Sequence, residues 1–211
     1  MCILPLCTVS SYNMICLTGV IVLLFAVTVD GRVGDSSESS YCTETKECFL
    51  FDLVCAGKDY EFAVTSISFR CCEAIGTQST APNAGAKIDM TAPVIIKVND
   101  SASMWQSSVY ALSFLLPSNY QANPPKPTDP SVYFTDTPDM KVYVKSYGGY
   151  MMSVVARSQA QSLKTSLDNV QATYETEYYY NVGYNSPMKI MNRHNEAWYI
   201  VKGEPVCPKT E

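Results

Sequence analysis

The chain is poor in the residues most enzymes work with. Among 211 residues there is a single histidine, His194. No G-x-S-x-G or H-E-x-x-H occurs, which leaves little for hydrolysis. The cysteines lack zinc-ligand spacing. Asp89 and Asp139 border strands as lone carboxylates, and no catalytic constellation emerges, so a non-enzymatic protein is expected. Charge is also sparse: charged residues make up 17 % of the chain, the net charge is −5, and no Lys/Arg cluster occurs anywhere. Nucleic acid is excluded as a partner on that ground, because neutralising phosphates needs a basic footprint. Anionic membrane surfaces are disfavoured for the same reason.

Before Asp30 there is no charged residue at all. Residues 14–29 form a nearly continuous apolar run, short for a spanning helix and suited to a signal-peptide core. Small residues around 26–31 offer a cleavage site. The missing basic n-region leaves an uncleaved signal anchor open as an alternative that would tether the chain to a membrane. The expected organisation is a signal segment at 1–31, a polar disordered lead-in at 32–47, one domain at 48–204 and a tail at 205–211. The mature chain then has no membrane span and is secreted. Hydrophobic residues at 47 % suffice for a sizeable core.

The cysteines agree with secretion. Cys2, Cys7 and Cys16 leave with the signal, and Cys42, Cys48, Cys55, Cys71, Cys72 and Cys207 remain for an oxidising compartment. Six cysteines allow fifteen pairings. Cys207 follows the last strand and is expected to tie the tail to the Cys42/Cys48/Cys55 group, while the adjacent Cys71 and Cys72 take different partners or stay free. Asn99-Asp100-Ser101 is an N-glycosylation acceptor at an expected turn.

What the chain does have is pattern. In residues 87–98, KIDMTAPVIIKV, the positions Ile88, Met90, Ala92, Val94, Ile96 and Val98 make an unbroken apolar face. One long strand with that face inward follows from the alternation, and Pro93 demands an edge, bulge or bend. Residues 60–69 read as a strand, 71–76 begin like a short helix, and 109–116 pair with the opening strand. Residues 118–139, rich in proline, read as an extended loop with only SVYFTD as a short strand. In 140–147, Met140, Val142 and Val144 alternate against Lys141, Tyr143 and Lys145. Ala156, Ala160, Leu163, Leu167, Val170 and Tyr174 form the stripe of an amphipathic helix of about five turns. Strands at 178–184 and 197–202 close the chain, and the polar run around His194 reads as an exposed turn. The second half thus runs strand, helix, strand, strand. The first half shows the same order with a degraded helix, which suggests a duplication: an α+β, distorted antiparallel β-barrel of two pseudo-repeats with helices packed on the sheets.

The opening strand, with ALSFLLPSNY (111–120), PPKPTDPSVYF (124–134), KVYVKSYGGY (141–150) and YNSPMKIMNRHNEAWYIV (184–201), resembles the SOUL/heme-binding protein family, and in particular its secreted, signal-bearing members. The motifs cover 87–202 in the family's order. The resemblance implies an α+β barrel of two pseudo-repeats that binds heme or another tetrapyrrole reversibly in an apolar surface groove. It further implies basic residues near the propionates, for which Lys87, Lys97, Lys141, Lys145 and Arg193 are available, with Met90 beside them on the opening strand. No C-x-x-C-H occurs, so covalent c-type heme is excluded, and His194 is not expected to be an axial ligand. The departure lies upstream: the span from Tyr60-Glu61 to Lys87 is too short for the family's second strand and full helix, so the first repeat is truncated. Two functions follow as expectations, a secreted tetrapyrrole carrier, buffer or scavenger, and alternatively a secreted structural or protein-interaction module that has lost the ligand. The oligomeric state is left open.

Overall fold

A computed structural model of the chain describes residues 42, 44, 45, 47, 48, 51–56, 63–75, 90–100, 111–127 and 130–207. Within them run seven strands and one α-helix: β1 Phe51–Ala56, β2 Ala63–Ile75, β3 Val94–Asn99, β4 Ala111–Leu115, β5 Val132–Tyr147, α1 Ser153–Asn169, β6 Tyr178–Gly183 and β7 Asn195–Ile200. The strands form one sheet in the order β1-β2-β4-β3-β6-β7-β5, with every ladder antiparallel and an additional β2–β5 pairing. The fold is therefore α+β and mostly antiparallel. The expected signal segment, most of the expected lead-in, Lys87 and the stretch where a first-half helix would fall lie outside the described residues, and no helix among those described is long and apolar enough to cross a membrane.

The expected barrel is corrected by β2. Its residues 63–67 pair with β1 and 71–75 with β4, while the opposite edge pairs with β5. The sheet is carried back onto β5 but not closed into a barrel with every edge covered, because β1 ends it with an edge that no described strand takes. Residues 71–75 are strand, not the expected short helix. They are bonded to neighbours on both sides, and that pairing overrides local propensity.

β5 is longer than its alternation suggests. SVYFTD and the strand after it are one continuous element, because β2 pairs with it from Val132 to Val144. Pro138 is tolerated at a bulge: Ile67 opposes Met140 and Phe69 opposes Thr137, so two residues of β5 face the single Ser68.

The opening strand is shorter than expected and its phase is reversed. β3 begins only after Pro93. Ile95, not Val94 or Ile96, enters the core, and Met90 is exposed. An alternation argument presumes one wet face, and here both faces are covered. On one, Phe51, Ile95, Val142, Val144, Val182, Tyr184 and Trp198 pack together. On the other, Tyr143, Tyr179, Ala197 and Tyr199 lie under Ala160, Leu163 and Leu167 of α1. Tyr143, expected on the polar side, is wholly buried there.

The stripe of α1 is the one anticipated as far as Leu167. Burying each such leucine contributes about 1.5–3 kcal/mol. The helix ends early because Gln171 takes a positive φ of 55° and the N–H groups of Gln171 and Ala172 return to the carbonyls of Asp168 and Leu167. Tyr174 therefore lies beyond the helix, its ring edge-on to Tyr199 at 5.1 Å and its hydroxyl donated to the Asp168 carboxylate. The tail is tied as expected: Cys207 is bonded to Cys55 of β1, and Cys42 to Cys48. The side chains of Cys71 and Cys72 lie outside what is described.

Candidate functional site

The connection between β6 and β7, residues 184–194, has an inverted composition. Three large outward side chains are apolar: Met188, Ile190 and Met191 are 88 %, 76 % and 73 % exposed. Its base is polar and buried. Glu196 is 2 % exposed, and its carboxylate accepts from three donors. Trp198 Nε1–H reaches Oε2 at 2.7 Å and the Tyr184 hydroxyl reaches the same oxygen at 3.1 Å. His194 Nε2 lies 2.7 Å from Oε1. Residues 196 and 198 project from the same face of β7, which is why a carboxylate and an indole two apart can meet.

The loop is shaped by these polar contacts. The His194 N–H donates to Asn185 Oδ1 at 2.7 Å, its carbonyl accepts from the Tyr184 N–H, and its ring stands edge-on to Tyr184. Arg193 folds back inside: Nη1–H donates to the carbonyls of Ser186 at 2.6 Å and Lys189 at 2.7 Å, and Nη2–H reaches that of Asn185 at 3.4 Å. The Glu44 carboxylate caps the Ser186 N–H at 2.9 Å. With these groups bonded, the loop does not need the exposed side chains of Met188, Ile190 and Met191 for its own packing.

A second segment adjoins it. The Arg193 guanidinium lies 4.6 Å from the Tyr150 ring centroid, and the Asn195 amide donates to the Gly149 carbonyl. Gly183 lets Met151 settle on β6, since a Cβ there would stand 3.2 Å from the Met151 methyl. Tyr150, Met152 and Val154 are exposed beyond it. Burial raises the pKa of the Tyr147 hydroxyl in the adjoining wall, and the nearby Tyr179 and Glu196 push it the same way.

His194 departs from its sequence reading. It is not an exposed turn residue but 6 % exposed, drawn in by the buried Glu196 carboxylate. Its Nε2 is engaged by Glu196 and the ring is buried, so the imidazole is not presented at the surface of the loop. The basic candidates are not brought together. Lys97 shares a face with Tyr180, Trp198 and Val144, and its ammonium lies 3.7 Å from the Tyr178 ring centroid. Lys141 and Lys145 alternate onto the opposite face, in register with Val201 and Ala197. Arg193 is engaged with its own loop, Met90 is exposed ahead of β3, and Lys87 lies outside the described residues. Asn99 is exposed at the end of β3. Met188, Lys189, Ile190 and Met191 were missed from sequence, although apolar residues crowded between Pro187 and Asn192, where no strand or helix period holds, were a readable sign.

The described residues thus combine a mostly antiparallel α+β fold, one covering helix and an apolar loop set on a buried hydrogen-bonded base. The family model described as SOUL heme-binding protein matches residues 75–200. The chain belongs to that family. It is 36 % identical to heme-binding protein 2 of Homo sapiens over 119 residues, 56 % of this chain and 58 % of that protein. It is 32 % identical to heme-binding protein 1 of Bos taurus over 120 residues, 57 % and 62 % of the two chains, and 32 % identical to heme-binding protein 1 of Xenopus laevis over 145 residues, 69 % and 74 %. The match to the human and bovine relatives thus spans less than two thirds of their length.

The residues present fit the body of a heme better than its iron. Exposed thioether and aliphatic side chains on a preformed loop suit a flat apolar macrocycle. The histidine is engaged elsewhere.

Proposed function

We propose that the chain binds heme or a related tetrapyrrole reversibly and without covalent attachment, and that it carries or buffers the ligand and does not transform it. One observation carries the reading: in a member of a heme-binding family, three large apolar side chains are held out to solvent on a loop that buried hydrogen bonds already shape. Leaving such surface exposed is unfavourable unless something covers it. The macrocycle would lie against Met188, Ile190 and Met191, with Tyr150 and Met152 as neighbours and Lys189 near a propionate.

The setting we infer is the secretory pathway, supported by the uncharged apolar start of the chain and by the two disulfides, which persist in oxidising compartments. Asn99, exposed at a strand end, is the glycan site in this reading. Two pseudo-repeats are supported by the pairing pattern: β2 pairs with β4 as β5 pairs with β7, β3 pairs with β4 as β6 with β7, and the halves meet through β3–β6 and β2–β5.

The test is a hemin titration of the oxidised, folded protein followed in the Soret band. A saturable shift is expected, weakened at least ten-fold in a Met188→Ser/Ile190→Ser/Met191→Ser variant, since each apolar side chain lost from a contact removes 1 kcal/mol or more, roughly. His194→Gln is expected to leave the ferric spectrum unchanged in shape. No saturable shift in the wild type would favour the alternative reading, a secreted interaction module without a ligand.

A further inference from the structure

We propose that Met188 and Met191 are oxidation sites through which peroxide regulates the apolar loop, a reading that rests on the tetrapyrrole function proposed above. Four methionines of the described part are exposed, Met90, Met152, Met188 and Met191, and the two in the loop are the most exposed of them. Two others are sheltered. Met140 packs against the core that holds Trp198, and Met151 lies against Gly183. Susceptibility of a thioether follows its access to the oxidant, so one molecule contains both the reactive sites and their internal controls.

The chemistry is a two-electron transfer. The sulfur lone pair attacks one oxygen of hydrogen peroxide, the S–O bond forms as the O–O bond breaks, and the departing hydroxide takes the remaining proton to leave as water. The thioether is oxidised to the sulfoxide and the peroxide is reduced. The product replaces a soft apolar atom by a strong dipole, and pressing that dipole against an apolar macrocycle is unfavourable.

The loop is built so that this change stays local. Its shape is set by Arg193 on three carbonyls, by Glu44 on the Ser186 N–H and by the His194–Glu196 contact. None of these uses a methionine side chain. Oxidation therefore changes what the loop presents and leaves how it is held, which is the requirement for regulation rather than damage.

The experiment treats the folded, disulfide-bonded protein with graded hydrogen peroxide, maps sulfoxides by peptide mass spectrometry and titrates hemin before and after. Met188 and Met191 are expected to be oxidised well before Met140 and Met151, with far-ultraviolet circular dichroism unchanged. Hemin affinity is expected to fall about ten-fold in the wild type. In Met188→Leu/Met191→Leu, the ratio of affinities before and after treatment is expected to stay near one. Equal oxidation rates at sheltered and loop methionines would overturn the proposal, as would an equal loss of affinity in the leucine variant. Should the untreated wild type not bind hemin, the binding reading and the regulatory consequence fall together, while the order of oxidation is still read independently from the peptide map.

Discussion

The base and the tip of the β6–β7 loop reverse the usual distribution of side chains. At the base, a carboxylate, an imidazole, an indole and a phenol lie buried against one another, and Glu196 bonds to each of the other three. At the tip, a few residues away, methionine and isoleucine stand in water. In most loops apolar side chains turn inward and hold the shape while polar ones face out. Here hydrogen bonds hold the shape, which frees the apolar groups to meet a ligand. A buried polar network of this kind favours a single geometry, because any slip leaves donors unsatisfied at about 1–3 kcal/mol each.

The most severe way to break the contrast is to remove its hub. Glu196→Ala strands the donors of Trp198, Tyr184 and His194 in a dry site, and a stability loss of about 3–5 kcal/mol is expected. Glu196→Gln keeps the shape and one acceptor and is expected to lose less than half as much. Chemical denaturation of both variants, with the wild type as reference, reads the difference. A loss below about 1 kcal/mol for the alanine variant would mean that the base does not hold the loop.

Alkali acts more gently, on Tyr147 beside that base and on Tyr174 and Tyr199 in the core under α1. Burial, Tyr179 and Glu196 hold the Tyr147 hydroxyl well above its ordinary value near 10. Burial and Asp100 do the same for Tyr199, and burial with the Asp168 contact does so for Tyr174. The folded state keeps these protons where the unfolded chain has released them. Stability is therefore intact below about pH 10 and declines as pH rises from there through the folded values, at about 1.4 kcal/mol per pH unit for Tyr147 alone. Denaturation midpoints between pH 9 and 11.5, paired with the tyrosinate absorbance, test this. Phenolate absorbance that rises fully before unfolding would show that these hydroxyls are open to solvent.

How much of this was legible in the sequence follows from which physical signal each part leaves. The stripe from Ala156 to Leu167 was readable because one helix face is wet and the other dry. The strands downstream of residue 140 were located by their apolar and alternating character, although both faces of β5 and β7 are buried and Tyr143 was expected on the polar side. The face of the opening strand was misread: Ile95 goes inward and Val94, Ile96 and Val98 toward the other side, and alternation cannot choose a face when both are covered. The strand at 71–75 and the continuity of β5 through Pro138 depend on partners far away in the chain, which a local window does not contain. The basic residues were each identifiable as basic, but register places Lys97 and Lys145 on opposite faces, and only the ladder shows that. His194 was taken for a turn residue because its neighbours are polar. Its burial is decided by Glu196, two residues on, whose own burial is legible only in retrospect from the Trp198 and Tyr184 that pair with it.

The gentlest perturbation sharpens the contrast most. Met188→Ser, Ile190→Ser and Met191→Ser, singly or together, remove side chains that contribute little to packing, so stability is expected to stay within about 0.5 kcal/mol of the wild type for each change. Amide exchange should agree. The N–H groups of Tyr184 and His194, bonded to His194 O and Asn185 Oδ1 at the base, should keep their protection in the triple variant, and Arg193→Lys, which lacks the planar fork that spans three carbonyls, should lose protection at Lys189 and its neighbours. A triple variant that unfolds more than about 2 kcal/mol too easily would place the methionines inside the packing after all, and the separation of shape at the base from binding at the tip would not stand.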